Sequence, residues 1–190
     1  MEEIGSINDF KDIEIGKTYK GTMTDVGKVG FGIFIDCGIF NPKIDVLIEL
    51  RTLRHQLCKG NKVSLREIMK AYEFVDHFPV YFKITHIDVE NNKIKGEFDD
   101  KTLDIFKKLI DENIEAIFMS GETKGQFKKA LLRKGHLRDI VSILRFGFLE
   151  NIVILKGDSD ALGIISEIGR YLTNCKLTAI RPVKIKALFK

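Results

Sequence analysis

The stretch VGFGIFIDCG at residues 29–38 sets two phenylalanines and three β-branched residues among three glycines. Val, Ile and Phe favour a pleated, half-buried strand, whereas glycine inside a strand often marks a bend or the close approach of another backbone. A strand over 29–37 would place Phe31 and Phe34 on opposite faces, because side chains alternate along a strand. One ring would then fill an interior and the other would face outward, and the sequence leaves open which ring does which.

Four other segments around this stretch have strand character, and Asn91–Asn92 has the composition of a hairpin turn between the last two. A segment with apolar residues at helical spacing, 62–74, is inserted among them. Five strands with one inserted helix indicate a small Greek-key barrel. The four segments are 17–26, 43–50, 80–89 and 93–98.

The second half of the chain has a different pattern of segments. After a helix predicted over 99–113, the order strand, helix, strand, strand, helix, strand is typical of a ferredoxin-like fold. We therefore predict an α+β protein with a barrel over 14–98, a linker helix over 99–113 and a ferredoxin-like domain over 114–182. The tail 183–190 is expected to extend the last strand or to hang free. The predicted segments are 114–121, 123–135, 138–147, 149–157, 160–174 and 175–182.

The composition is that of a globular protein. The 190 residues are 44% hydrophobic and 31% charged, and the net charge of +4 permits a nucleic-acid partner without requiring one. The first residues lack a signal-peptide pattern, and no apolar run is long enough to cross a bilayer. We expect a cytoplasmic protein without a membrane partner. Three scattered cysteines without a CxxC pair predict neither a disulfide framework nor a zinc site.

The segment 15–38 resembles the start of an S1 domain, the RNA-binding form of the OB fold. The pattern of the first S1 strand is matched approximately, by Gly16, Gly21 and Met23. The F-G-x-F pattern that follows it in the family is matched closely, by Phe31, Gly32, Phe34 and Ile35. The resemblance covers about residues 14–98. The usual histidine of the third strand is absent, and Glu49 lies near its place.

This resemblance implies that the two phenylalanines stack on bases of single-stranded RNA and that four barrel lysines contact phosphates. Base stacking on such a face contributes about 1–3 kcal/mol per base. The four residues are Lys20, Lys28, Lys93 and Lys95.

Two later segments carry a second resemblance. GHLRDI at 135–140 and DALGIISEIGRYL at 160–172 are similar to an archaeal family classed as a domain of unknown function. In that family an S1-like domain precedes a ferredoxin-like domain. The resemblance implies an archaeal origin and brings no activity with it.

The densest group of positive charges, called here the basic patch, lies on the helix predicted at 123–135 and just after it. Its residues recur four apart, so they form adjacent rows on one helix face. They are Lys124, Lys128, Lys129, Arg133, Lys134 and Arg138. This pattern is typical of a phosphate-binding face, and equally of the solvated face of an amphipathic helix.

No motif for catalysis is present. The four histidines are not in metal-spaced pairs, and neither a P-loop nor a GxSxG motif occurs. The paired acids Asp99–Asp100 and Asp158/Asp160 lie at predicted helix starts, where carboxylates are favoured structurally. We therefore expect a protein that is not an enzyme and that needs no metal and no cofactor.

The leading hypothesis is an RNA-binding protein of translation or RNA metabolism. The first alternative is a protein-interaction module within a ribonucleoprotein or transcription assembly, which would have protein partners. The second is a small-ligand sensor, because the segment 156–169 is weakly similar to the opening of amino-acid-binding ACT domains, with Leu162 in place of the usual proline.

Overall fold

The computed structural model describes residues 10–40 and 42–190, which form two compact units. Of the described residues, 10–40, 42–70, 74–106 and 188–190 make the first unit, and 71–73 and 107–187 make the second. The predicted class, an α+β protein with an OB-type barrel and a ferredoxin-like unit, is confirmed.

The first unit is built on a closed barrel of five strands in the order β1-β2-β3-β5-β4. Neighbouring strands are antiparallel, apart from β3 and β5, which are parallel. This is the topology that the strand order and the inserted helical region predicted. The strands are β1 (Thr18–Thr24), β2 (Gly32–Asp36), β3 (Val46–Glu49), β4 (Pro79–Asp88) and β5 (Lys93–Phe98).

Glycine at position 21 allows β1 and β2 to approach each other closely inside the barrel. A Cβ atom at Gly21 would lie 2.6 Å from the carbonyl oxygen of Asp36 and 2.7 Å from Cγ2 of Ile35. Ile33 and Ile35 of β2 are almost completely buried, so the alternating side chains of β2 fill the barrel interior.

The inserted region contains two helices where the sequence predicted one. Helix α2 (Leu65–Tyr72) lies inside the predicted span, but α1 (Leu50–Leu57) was missed. It begins directly after β3, and Glu49 at its N-cap makes no side-chain capping bond, so the usual start signal is missing. Burial of Leu53 and Leu57, one helical turn apart, stabilises α1 instead.

Helix α3 (Asp100–Glu112) lies within the segment 99–113 that was predicted to be helical, and the division between the two units falls inside it, after Phe106. In the second unit, four antiparallel strands form a sheet in the order β7-β8-β6-β9. Two helices pack on one face of this sheet, where Phe127 and Leu131 of α4 meet Ile164 and Ile168 of α5 in one core cluster. The elements are β6 (Ala116–Ser120), α4 (Lys124–Lys134), β7 (Ile140–Arg145), β8 (Asn151–Leu155), α5 (Ala161–Ile168) and β9 (Lys176–Ile180).

Local signals set the ends of α4 and α5. Thr123 and Gln126 form a capping box at the start of α4, and Gly135 ends it with a φ of 77°. The Asp160 side chain accepts a hydrogen bond from the Leu162 backbone N–H as the N-cap of α5, in agreement with its predicted place at a helix start.

The predicted form of the tail was wrong. Residues after β9 neither extend that strand nor hang free, because Pro182–Lys186 form α6 and Ala187–Phe189 form a 3-10 turn. Pro182 occupies a first-turn position, where its missing N–H costs nothing. Ile185 and Leu188 are buried, so tertiary packing holds a segment whose alternation resembled that of a strand.

Candidate nucleic-acid interface

Both phenylalanines of the opening stretch lie on the outer surface of the barrel. Phe31 is 56% exposed and Phe34 is partly exposed, and their rings form an edge-to-face pair with centroids 6.1 Å apart at 88°. The expectation that they occupy opposite faces is therefore wrong. Strand β2 begins only at Gly32, so Phe31 lies in the preceding bend, where two-residue alternation does not apply.

Phe34 belongs to a row of outward-facing side chains that runs across neighbouring strands of the barrel. It is paired with Thr24 of β1 on one side and with Leu47 of β3 on the other, and Leu47 is paired in turn with Lys95 of β5. Laterally paired residues on one face have Cβ atoms about 5 Å apart. The row therefore presents an aromatic ring, an aliphatic side chain and an ammonium group next to one another.

This row crosses a groove of about 810 Å³, called here the barrel groove. The groove is lined by Asp25 and Phe31 of the β1–β2 loop, Phe34 of β2, residues 42–45, Leu47 and Glu49 of β3, and residues 92–95. In OB folds, the face of strands 2 and 3 with the loops between strands 1 and 2 and strands 4 and 5 binds oligonucleotides. The barrel groove occupies that position.

The groove brings together four of the six predicted barrel residues, namely Phe31, Phe34, Lys93 and Lys95. Lys20 and Lys28 do not line it. Lys20 lies on β1 on the side paired with Tyr81 of β4, and the exposed Lys28 forms an ion pair with Asp25. The RNA contacts assigned to all six remain predictions.

Sequence reasoning did not select several side chains that line the groove. Lys43, Asp45 and Leu47 belong to it, although none was a candidate. The outward position of Leu47 follows from the alternation of β3, whose burial pattern leaves Leu47 and Glu49 partly exposed. That alternation was the signal that could have identified it.

The charges in the groove are balanced. Three lysines at 43, 93 and 95 face three carboxylates at 25, 45 and 49, and the Lys95 Nζ donates to Glu49 Oε1 at 2.7 Å. A groove of this kind does not attract phosphates strongly over its whole length. The apolar and aromatic side chains of the groove suit contact with nucleic-acid bases better than contact with a sugar–phosphate backbone.

Asp45 is a carboxylate of the groove that lies in an unfavourable electrostatic environment. Burial, followed by the nearby charge of Asp36, raises the pKa of Asp45 above its ordinary value, and Lys43 opposes the shift. Its Oδ1 has no hydrogen-bond partner among residues 10–40 and 42–190. The ionised form is therefore disfavoured in the folded state.

We expect Asp45→Asn to raise the melting temperature at pH 7. A carboxyl group whose pKa is higher in the folded protein than in the unfolded chain lowers the free energy of unfolding at pH values above its folded pKa. This penalty disappears below its pKa in the unfolded chain, which is about 3.9. The advantage of the variant should thus decrease as pH falls through the folded pKa and vanish below about pH 4. Thermal melts of both proteins from pH 3 to pH 8 measure it, and an equal or lower melting temperature for the variant at pH 7 would contradict the prediction.

The basic patch lies on α4 and on the 3-10 turn that follows it (His136–Asp139). Five of its six residues are exposed and Lys134 is partly covered. Within the described part of the chain, none of the six has a carboxylate in ion-pair distance. The Arg133 and Arg170 guanidinium groups lie 5.3 and 5.0 Å from the centroid of the Tyr171 ring. The patch thus offers unneutralised cations and one aromatic ring to solvent.

The segment similar to an ACT domain borders a small cavity of about 270 Å³ in the second unit. Four carboxylates, at 139, 158, 160 and 167, line it together with His136. The His136 Nδ1 lies 2.8 Å from Asp139 Oδ2, and its Nε2 lies 3.5 Å from Glu167 Oε2. This lining repels the carboxylate of an amino acid, in contrast to the anion-binding helix start of the ACT comparison.

The three thiols are buried or half-buried. Burial raises the pKa of Cys37 to about 12 and that of Cys58 and Cys175 to about 11, so each is protonated at neutral pH and is a poor nucleophile. Among residues 10–40 and 42–190, no cluster of three or more His, Cys, Asp or Glu side chains is arranged to hold a metal ion. In the same residues, no helix combines the length and apolar character needed to cross a bilayer.

Two family models match this sequence. The one described as the DUF2110 central domain matches residues 13–110, and the one described as the DUF2110 C-terminal domain matches residues 114–180. Together they cover most of the chain and follow its division into a barrel and a ferredoxin-like sheet. Among curated proteins, none matches this sequence.

Several solved structures are similar to parts of the chain. MJ1198 from Methanocaldococcus jannaschii is 20% identical, over 46% of this chain and 95% of its own, with a TM-score of 0.32. The intact alpha subunit of aIF2 from Pyrococcus abyssi is 13% identical, over 89% and 97%, with a TM-score of 0.32. A chain of the a/eIF2alpha–aDim2p–rRNA complex from Pyrococcus horikoshii is 12% identical, over 65% and 64%, with a TM-score of 0.34. Scores this low carry no conclusion about function.

Proposed function

We propose that this chain, which belongs to the DUF2110 family, is a non-catalytic protein of translation or RNA metabolism that binds single-stranded RNA. The bases lie in the barrel groove, and the basic patch contributes phosphate contacts. The observation that carries the proposal is the outward edge-to-face pair of Phe31 and Phe34 on the oligonucleotide-binding face of an OB barrel.

The exposure of these rings supports a stacking role. Phe side chains contribute most to stability when they are buried, so two neighbouring rings at the surface call for a partner with an apolar face. Every base has such a face, and stacking on an aromatic side chain tolerates any sequence. The adjoining Lys93 can reach a phosphate at the rim while the bases lie in the groove.

Single-stranded nucleic acid fits the groove better than a duplex does. The bases of a duplex are stacked on one another and are not free to lie on Phe31 and Phe34, whereas unpaired bases can be splayed onto them. The balanced charges of the groove agree with a base-lined contact. The basic patch is a separate set of cations that can bind phosphates of the RNA.

Fluorescence anisotropy of the full-length protein with a labelled single-stranded RNA of about 10 nucleotides tests the proposal. Duplex RNA and single-stranded DNA are measured alongside, over a salt series. We expect micromolar or tighter binding of the single strand at low salt, weakening linearly in logarithmic coordinates as salt rises. No binding at low salt would overturn the proposal and leave a protein partner as the leading alternative.

Two variants that lose the same net charge distinguish a specific role of the basic patch from a general effect of net charge on RNA binding. Lys124→Gln with Lys128→Gln is expected to weaken binding of all RNA sequences alike and to reduce the salt slope by about 1.4, because each phosphate that is no longer neutralised lowers the slope by about 0.7. The matched control is Lys17→Gln with Lys107→Gln, which removes the same charge from lysines already paired with Glu14 and Asp111. An equal effect of both variants on the slope would mean that the patch is only a solvated helix face.

A further inference from the structure

The carboxylate of Glu49 is unexpected in a groove proposed to bind a polyanion. It lies at the end of β3, its side chain is 44% exposed, and its Oε1 accepts a hydrogen bond from Lys95 Nζ at 2.7 Å. A carboxylate repels phosphate oxygens, so this side chain does not face the RNA backbone. It suits the hydrogen-bond donors on the edge of a base.

Glu49 lies beside the stacking rings. Its register partner on β2 is Gly32, which has no side chain and which Phe31 directly precedes. Phe34 is the next outward residue of β2. No side chain of β2 therefore stands at the position paired with Glu49, and the Leu47 side chain covers Gly32 instead, with its Cδ1 2.7 Å from where a Cβ atom of residue 32 would lie. A base stacked on one ring of the pair can turn its edge toward the Glu49 carboxylate across this aliphatic side chain.

The chemistry of the Glu49–Lys95 pair favours one base. A carboxylate offers two acceptor oxygens, and an ammonium offers donors only. Guanine carries two neighbouring donors on its Watson–Crick edge, N1–H and the N2 amino group, next to the acceptor O6. Adenine and cytosine offer the carboxylate a single amino group there, and uracil places its one N–H between two carbonyl oxygens.

From this match we infer that Glu49 and Lys95 read the Watson–Crick edge of a guanine stacked on one ring of the Phe31–Phe34 pair. Glu49 accepts from N1–H and from the N2 amino group, and Lys95 donates to O6. Recognition of unstacked bases at this edge is the usual route to sequence specificity for single-stranded RNA. The inference rests on the proposed function and adds a nucleotide preference to it.

The test uses the full-length protein and labelled oligouridines of about eight residues with one central guanosine, adenosine, cytidine or inosine. Guanosine should bind at least about fivefold more tightly than adenosine or cytidine, the discrimination expected of a good bidentate contact. Inosine lacks the N2 amino group and should lose much of that advantage.

The Glu49→Gln variant tests whether the Glu49 carboxylate contacts the edge of the base. The variant should bind guanosine and inosine oligonucleotides equally, with the guanosine preference lost, and should bind plain oligouridine at least as tightly as the native protein. Retained oligouridine binding also shows that the variant is folded. The matched control, Glu97→Gln, removes the same charge from β5 outside the groove lining and should leave the preference unchanged.

Two outcomes overturn the inference in distinguishable ways. Binding of all oligonucleotides without a guanosine preference, or a preference that survives Glu49→Gln, overturns the guanine assignment alone. Failure of every oligonucleotide, including oligouridine, to bind at low salt overturns the proposed function and the guanine assignment together.

Discussion

Replacement of both Phe31 and Phe34 by alanine is expected to weaken the binding of single-stranded RNA by more than about tenfold, because each base stack contributes about 1–3 kcal/mol. The weakening should be similar for different sequences and should leave the salt slope unchanged, since neither ring carries charge. Anisotropy titrations at one salt concentration measure the affinity, and a salt series measures the slope.

The stability of this variant provides its first control. Phe31 is more than half exposed, so its truncation should change the unfolding midpoint little, whereas the partly buried Phe34 contributes more. Phe34→Leu retains much of the apolar contact and removes the aromatic face. If this variant is as stable as the native protein and binds RNA more weakly, stacking is responsible.

A second control is the chemically identical change at another exposed ring. Phe40 is 66% exposed and does not line the barrel groove. Phe40→Ala should leave RNA affinity unchanged. A folded Phe31→Ala, Phe34→Ala protein with native affinity would refute the stacking role of the aromatic pair.

A large loss of stability is expected from Gly21→Ala. The added Cβ would lie 2.6 Å from the carbonyl oxygen of Asp36 and 3.1 Å from Cε1 of the buried Phe82. Neither the backbone of β2 nor the packed barrel interior can move freely, and overpacking of this kind costs about 1–3 kcal/mol or more. We expect a lower urea midpoint for unfolding, followed by circular dichroism.

Gly30→Ala is the matched control for this prediction. No atom lies within 4 Å of a Cβ at Gly30, and its backbone does not need a positive φ. The substitution should leave stability unchanged or raise it by up to about 1 kcal/mol through the lower entropy of the unfolded chain. Equal urea midpoints for the two alanine variants would show that β1 and β2 do not approach as closely as the structure has them.

Features that depend on neighbouring residues were predictable from the sequence. The strand segments of β1, β4 and β5, the helix start at Asp160 and the terminating Gly135 are determined by residues within a few positions of one another. The order of these elements then limited the fold to a barrel followed by a ferredoxin-like sheet, because few topologies connect such a series without crossings.

Features that depend on distant residues were not predictable. The tail carries an alternating pattern, yet the burial of Ile185 and Leu188 selects helical conformations for it. Helix α1 similarly depends on the packing of Leu53 and Leu57 and not on a capping signal. Tertiary packing overrides weak local propensity in short segments of this kind.

The candidate site shows the same division. The sequence by itself determined that the residues after Phe31 form a strand, since their composition and spacing are local properties, and the S1 resemblance indicated that this is the second strand of an OB-type barrel. Only the tertiary structure decided that both rings face outward, because the start of β2 at Gly32 removes Phe31 from the strand's alternation. Only barrel closure places Lys95 beside Glu49, 46 positions away, since the pairing of β3 with β5 is a long-range contact.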